Sequence, residues 1–208
     1  MKPFINSLLI CLLSISAWAG GTTQQPQKDM AACFAAWDNK LLTLETDFTQ
    51  TTEYDGLLIS QSQGSISYLK AGSKLRLDNK DGQTITQTAL TDKRTIWILD
   101  EKGKEISTLS WQDWLLGQPN QALFDFGNYT QLLNKHDVSV LEYKDETAIL
   151  RLTPKNKAEN YILYVAVSEK NCFPQSITIQ ADLMKTTAAL TQTRLNAELN
   201  KNLFKGIK

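Results

Sequence analysis

Leu90-Thr91-Asp92-Lys93-Arg94-Thr95-Ile96-Trp97-Ile98-Leu99 decides how the rest of the chain is read. A turn at Asp92-Lys93 opens a strand with Trp97 and Leu99 on one face and Ile96 and Ile98 on the other. A sheet with one face in water shows a polar alternate face. This strand has none, so it needs two apolar coverings, or one packed face and one hydrophobic hollow.

The flanking sequence places that strand in an antiparallel sheet. Upstream, Leu44, Thr46, Phe48, Gln50, Thr52 and Tyr54 alternate with the wholly polar set Glu45, Asp47, Thr49, Thr51 and Glu53. Asp55-Gly56 is a hairpin turn. Leu57 to Lys70 continues as strand, with Gly64 a bulge or close-approach point and Ile66 and Tyr68 on one face. Leu75 and Leu77 alternate with Lys74, Arg76 and Asp78, and Thr84 to Leu90 is Thr-rich. Ile106 and Leu109 mark a short strand.

Downstream, Asp137 to Lys144, Thr147 to Thr153, Tyr161 to Val167, Ser176 to Gln180 and Met184 to Leu195 read as further strands. At the front, Met30, Cys33, Phe34, Trp37, Leu41 and Leu44 recur at helical spacing behind Asp29, a candidate N-cap. Between the strand sets, Trp111, Trp114, Leu115, Leu123, Phe124, Phe126, Tyr129, Leu132 and Leu133 read as two or three short helices broken by Pro119 and Gly127. So much apolar surface on short helices must cover something. The sum is a mainly β (α+β) domain: an incomplete antiparallel barrel of about eleven strands, with an N-terminal helix and a short-helix lid.

Among 208 residues, 22 Lys and Arg balance 22 Asp and Glu. That balance leaves no electrostatic footprint for nucleic acid or an anionic membrane. Residues 1–19 read as a secretory signal: Lys2, an apolar run from Leu8 to Leu13 with Ile15, then Ala17-Trp18-Ala19. The run is too short to span a bilayer. Ile10 is bulky where a lipidation site at Cys11 needs a small residue, and Cys11 falls inside the apolar core. The expectation is therefore an exported, soluble domain over 20–208.

Cys33 and Cys172 then remain. In an oxidising compartment an even number favours a disulfide, and two free thiols are the alternative.

Chemistry-bearing motifs are sparse. His136, between Lys135 and Asp137, reads as a surface loop residue. The sequence has no Gly-x-Ser-x-Gly elbow, no zinc-type His/Cys cluster and no Gly-rich phosphate loop. We assign no catalytic residue, metal ligand or cofactor. The abundant class is large apolar side chains. Phe48, Ile66, Tyr68, Leu75, Trp97, Trp111, Trp114, Leu115 and Phe124 are the candidates for a cavity and its lid, against plain core packing.

Several short motifs, in order, resemble the periplasmic outer-membrane lipoprotein carriers of the LolA-type family. They are Asp47-Phe48-Thr49-Gln50, the strand glycine Gly64, Thr91 to Leu99 around Trp97, Leu152-Thr153-Pro154, and the tail from Leu195-Asn196 to Leu203-Phe204. The likeness runs from about Met30 to Phe204. Where the family carries Arg-Pro, its Arg fastening the lid, this chain has Lys70-Ala71, with Arg76 shortly after. Lys70 offers a point charge where Arg offers a planar fork, and these two are the candidate latch residues.

The resemblance implies a monomeric periplasmic carrier without catalytic activity, holding the acyl chains of lipoproteins. It further implies receipt from an inner-membrane ATP-driven lipoprotein-releasing complex and delivery to an outer-membrane receptor. A lipid- or lipoprotein-sensing module, and a carrier of a glycolipid or pigment lipid, are the alternatives. One acyl chain of about fifteen methylenes costs on the order of 12 kcal/mol to expose to water, so such cargo needs a chaperone.

Overall fold

A computed structural model describes residues 29–116 and 125–206. The segment 1–19 read as a signal and the candidate Phe124 lie outside the described residues. Helix α1 (Met30–Lys40) begins where the Asp29 carboxylate accepts the Ala32 N–H at 3.0 Å. It buries Met30, Cys33, Phe34, Trp37 and Asp38. Leu41 and Leu44, which extend the helical spacing in sequence, sit in the cap and the first strand, where both are still buried.

Six strands follow: β1 (Thr43–Tyr54), β2 (Leu57–Leu69), β3 (Lys74–Asp81), β4 (Thr84–Thr91), β5 (Thr95–Asp100) and β6 (Glu105–Ser110). Next come helices α2 (Trp111–Leu116) and α3 (Tyr129–Asn134). Five more strands complete the sheet: β7 (His136–Lys144), β8 (Thr147–Pro154), β9 (Ile162–Ser168), β10 (Pro174–Ala181) and β11 (Met184–Leu195). A 3-10 turn, Lys201–Phe204, lies in the tail. The strands form one antiparallel sheet of eleven, in the order β6-β5-β4-β3-β2-β1-β11-β10-β9-β8-β7. It is open, with β6 and β7 at its two edges.

Cross-strand pairing sorts the side chains into two faces, because directly opposed residues share a face. One row on the core face runs Leu44, Tyr68, Leu75, Thr91, Ile96. The next runs Thr46, Ile66, Leu77, Ala89, Ile98. These apolar residues form one cluster with α1, Trp111, Phe126 and Tyr129. The outer face carries Glu45, Ser67, Arg76, Leu90 and Trp97 in register.

This register answers the double-faced reading of Ile96 to Leu99. Ile96 and Ile98 belong to the core. Trp97 is buried on the other side, opposite Leu90, where the C-terminal tail lies. Phe204 of the tail is buried, and Arg76 Nη1 donates to the Leu203 carbonyl at 3.2 Å.

The sheet is crossed by covalent and steric constraints. A disulfide joins Cys33 of α1 to Cys172, with Cα atoms 5.5 Å apart and a sequence separation of 139. It ties the helix to the β9–β10 connection. At Gly64 an added Cβ would stand 1.9 Å from the Asp78 carbonyl oxygen and 2.7 Å from Phe48 Cε1. The β2–β3 backbone and the Phe48 ring close over a position that admits no side chain. His136, read from sequence as a loop residue, is instead buried at the start of β7. Its Nδ1 lies 2.7 Å from the Leu132 carbonyl and its Nε2 3.2 Å from the Tyr161 hydroxyl.

Gly64→Ala is expected to lower stability by about 1–3 kcal/mol, the usual cost of overpacking a filled site, measured by urea unfolding. Removing the disulfide in a Cys33→Ser, Cys172→Ser double variant is expected to cost about 2–5 kcal/mol for a loop of this size. Equal urea midpoints with and without the bond would refute that second expectation.

Candidate functional site

The topology fixes where a site can lie. β6 and β7 are at opposite edges of the sheet, and the described parts of the segment between them pack against the core face. That segment carries α2 and α3. Ser110 caps α2: its hydroxyl oxygen accepts the Asp113 N–H at 3.0 Å, and the hydroxyl donates back to the Asp113 carboxylate at 2.6 Å. Trp111 N–H donates to the Arg94 carbonyl at 2.9 Å, which starts the helix at the β4–β5 turn. Trp111 and Trp114 then stack with ring centroids 5.0 Å apart.

Trp114 roofs a cavity of about 230 Å³ on the core face. Phe48, Leu77, Ala89 and Ile98 supply its apolar wall, and Gln50, Ser62, Asn79 and Gln87 its polar wall. The volume is below the roughly 300–1,000 Å³ of pockets that hold drug-sized ligands.

The other half of the crossing segment is fastened into the core. Phe126 and Tyr129 are fully buried. Tyr129 packs on Phe34 with centroids 4.8 Å apart, and Phe126 on Tyr68 at 5.8 Å. Two buried charges hold the backbone here. Asp38 accepts the Gly127 N–H at 2.6 Å and the Tyr129 N–H at 2.8 Å. Lys93 reaches from the β4–β5 turn, donates to the Phe126 carbonyl and lies 3.5 Å from Asp125. Its Nζ also stands 5.5 Å from the centre of the Tyr68 ring. Gly127 has φ +86°, and an added Cβ would meet the Tyr68 hydroxyl at 2.6 Å, so only glycine fits.

The local sequence builds this fastening. In the β4–β5 turn the Asp92 carboxylate accepts the Arg94 and Thr95 N–H groups, both at 2.9 Å. Lys93 takes φ +63° between them and is aimed at the lid. Burial pushes the Asp38 carboxyl above its ordinary value, against the backbone donors and Lys93, which pull it down. Burial also pushes the Lys93 ammonium below its ordinary value, opposed by Asp125 and Asp38. The Tyr68 phenol is raised to about 12 by burial, with Asp38 and Asp125 adding to it.

Of the residues singled out in sequence, Phe48 and Trp114 line the cavity, and Trp111 backs Trp114. Leu115 is half-buried against the core, while Ile66, Tyr68 and Leu75 are fully packed within it. Trp97 is on the outer face, away from the cavity, because a strand alternates its side chains. Arg76 is on that face too, bound to Asp78 at 2.7 Å and to the tail, so it does not reach the lid. Lys70 Nζ donates to the Asn39 carbonyl at 2.6 Å and caps the end of α1 instead.

The fastening falls to Asp38 and Lys93, which sequence reasoning missed. The signal was an acidic residue on the apolar stripe of α1, four positions from Phe34. Among the described residues no three His, Cys, Asp or Glu side chains stand together to hold a metal. No described helix is long and apolar enough to cross a membrane.

The family model described as outer membrane lipoprotein carrier protein LolA matches residues 39–206. The chain belongs to that family. Among curated proteins, no sequence matches it. Among solved structures, that of MucB superposes with a TM-score of 0.56 at 18% identity, covering 86% of this chain and 62% of MucB. The MucA/MucB complex of Pseudomonas aeruginosa gives 0.50 at 16% identity, covering 86% and 60%. The LolA-superfamily protein NE2245 of Nitrosomonas europaea gives 0.50 at 12% identity, covering 85% and 96%. The chain therefore spans about three-fifths of the MucB structures it matches. At these identities the likeness is one of fold.

Asp38→Ala strands two buried N–H groups and is expected to cost about 2–4 kcal/mol, with Trp111 and Trp114 fluorescence shifting red as the segment loosens. The raised pKa of Asp38 means the folded chain holds that proton more tightly than the unfolded one. Its contribution is fully present below the ordinary carboxylate value and is lost as pH rises through the raised value. The stability of the parent relative to Asp38→Asn should therefore increase as pH falls from about 7 to about 4. A flat difference across that window would contradict the assignment.

Proposed function

We propose that this LolA-family chain is a periplasmic, non-catalytic carrier that shelters the acyl chains of lipoproteins between the inner and outer membranes. The observation that carries the reading is the Trp114-roofed cavity beneath a segment that bridges the two open edges of the sheet. The family description supports the cargo class. The expected secretory signal supports the compartment.

The physical task is to hide apolar chains yet let them go. Each acyl chain of about fifteen methylenes contributes on the order of 12 kcal/mol when withdrawn from water. An empty carrier must not leave an equally greasy hollow in water. Here the stacked Trp111 and Trp114 rest over the apolar wall, so the empty state keeps only a small chamber. Cargo entry lifts α2 while Asp38 and Lys93 keep Phe126 to Tyr129 seated on α1. The chains then replace indole rings against Leu77, Ala89 and Ile98. Receipt from an ATP-driven inner-membrane complex and delivery to an outer-membrane receptor complete the proposal.

A second reading is favoured by the likeness to MucB, which was solved in complex with MucA. On that reading the chain binds lipid or lipoprotein and signals through a protein partner. Co-expression with an acylated lipoprotein, purification without detergent and mass spectrometry distinguish the two. Bound acylated protein, reduced at least about tenfold in Trp114→Asp because a buried charge is left unpaired, supports the carrier. Recovery of a signalling protein in place of transport components would favour the sensor, and absence of any lipid or lipoprotein would overturn both.

A further inference from the structure

The cavity beneath Trp114 is divided along the strands. At one end the core-face row is Leu77, Ala89 and Ile98. One step along each strand the row becomes Phe48, Gly64, Asn79, Gln87. One step further, Gln50 pairs with Ser62. The face that packs an apolar core thus turns into a bank of carboxamides and a hydroxyl, all lining the same space as the indole. Asn79 Nδ2 approaches Gln87 Oε1 at 3.4 Å, a long contact that a shorter bond can replace. Gln50, Asn79 and Gln87 are half-buried and none is charged. Such side chains each offer donors and an acceptor.

We infer that this bank is a head-group subsite for an uncharged, hydrogen-bonding lipid head, an ester, amide or hydroxyl, with its acyl chain running toward Leu77, Ala89 and Ile98. The inference rests on the carrier reading and adds which lipids it takes. Charge is the discriminating feature. No cation is among the described residues lining the cavity. Lys80 belongs to the opposite face and pairs with Asp47. Asp100, which sits across from Gln87, is a carboxylate turned to the Lys102 and Lys104 N–H groups of its own hairpin. A carboxylate or phosphate head placed here would lose water and meet no counter-charge. A neutral ester or hydroxyl would exchange water for carboxamide partners without that penalty.

The chamber of about 230 Å³ admits the head and the first methylenes, and the rest of the chain requires α2 to lift. Gly64 belongs to the same row: with no side chain there, the Phe48 ring packs over it, Cε1 2.7 Å from where a Cβ would stand.

The test titrates the full chain at pH 8 with three ligands of equal chain length: 1-monopalmitoylglycerol, palmitate and palmitoyl lysophosphatidate. Affinity is read from tryptophan fluorescence and calorimetry below the aggregation limit of each. The neutral glyceride should bind at least tenfold more tightly than either anion. In an Asn79→Leu, Gln87→Leu double variant that ratio should fall to within threefold, with palmitate affinity unchanged or improved. If the variant fails to fold, the ratio in the parent chain decides. Equal binding of the three, or tighter binding of an anion, would overturn the subsite and leave the carrier intact. Binding of none would overturn both.

Discussion

Pairing of β1 with β11 is the constraint on which the molecule turns. It joins the two runs of successive hairpins at the middle of the sheet and drives β6 and β7 to the outside. A chain that must travel from one edge to the other has no route but across a face. The residues it lays there determine whether that face is sealed, hollow or wet. Aromatic residues at helical spacing make the crossing a cover, and the side-chain volume beneath it makes the chamber. The site is a consequence of topology first and of particular residues second.

The cover has two unequal halves, and electrostatics marks the difference. Burying a carboxylate and an ammonium is costly, and the cost is met here by backbone partners, with Asp125 3.5 Å from the ammonium as well. Asp38 serves two amides and Lys93 one carbonyl, so each charge is aimed at the polypeptide it immobilises. Removing either strands several groups at once. α2, by contrast, is a six-residue helix resting on indole contacts and one short cap. A helix of that length has little stability of its own. Compliance and rigidity are thus adjacent along one connection, as the proposed carrier would require.

Much of the fold was legible in the sequence because antiparallel strands have a period of two and announce their turns. Glu45 to Glu53 read as a wet face, and Asp55-Gly56 read as a hairpin with both residues left-handed. What the period cannot reveal is which face is which when both are apolar. Trp97 looked like lining because it is large and aromatic. Its register with Leu90 puts it under the tail, whose Leu203 and Phe204 come about a hundred positions later in sequence. Arg76 and Lys70 read as fasteners because the family resemblance places a lid-fastening Arg near the end of β2. Asp38 was hidden by its setting, since an acid on an apolar stripe reads as a helix interruption until its partners, ninety positions on, come into view. The polar wall of the chamber is likewise a product of register. Gln50, Ser62, Asn79 and Gln87 are unremarkable strand residues until pairing aligns them.

The bond between Cys33 and Cys172 has a consequence for how the molecule is born. A polypeptide emerges amino end first, so the first thiol waits for 139 further positions before its mate exists. β1 waits longer still for β11. The early hairpins from β1 to β6 can assemble during that interval, but the helix they should hold against the far half of the sheet has nothing to grip. A nascent chain will therefore leave its tryptophan-bearing half uncovered until β11 has emerged, and that is the interval in which it needs guarding.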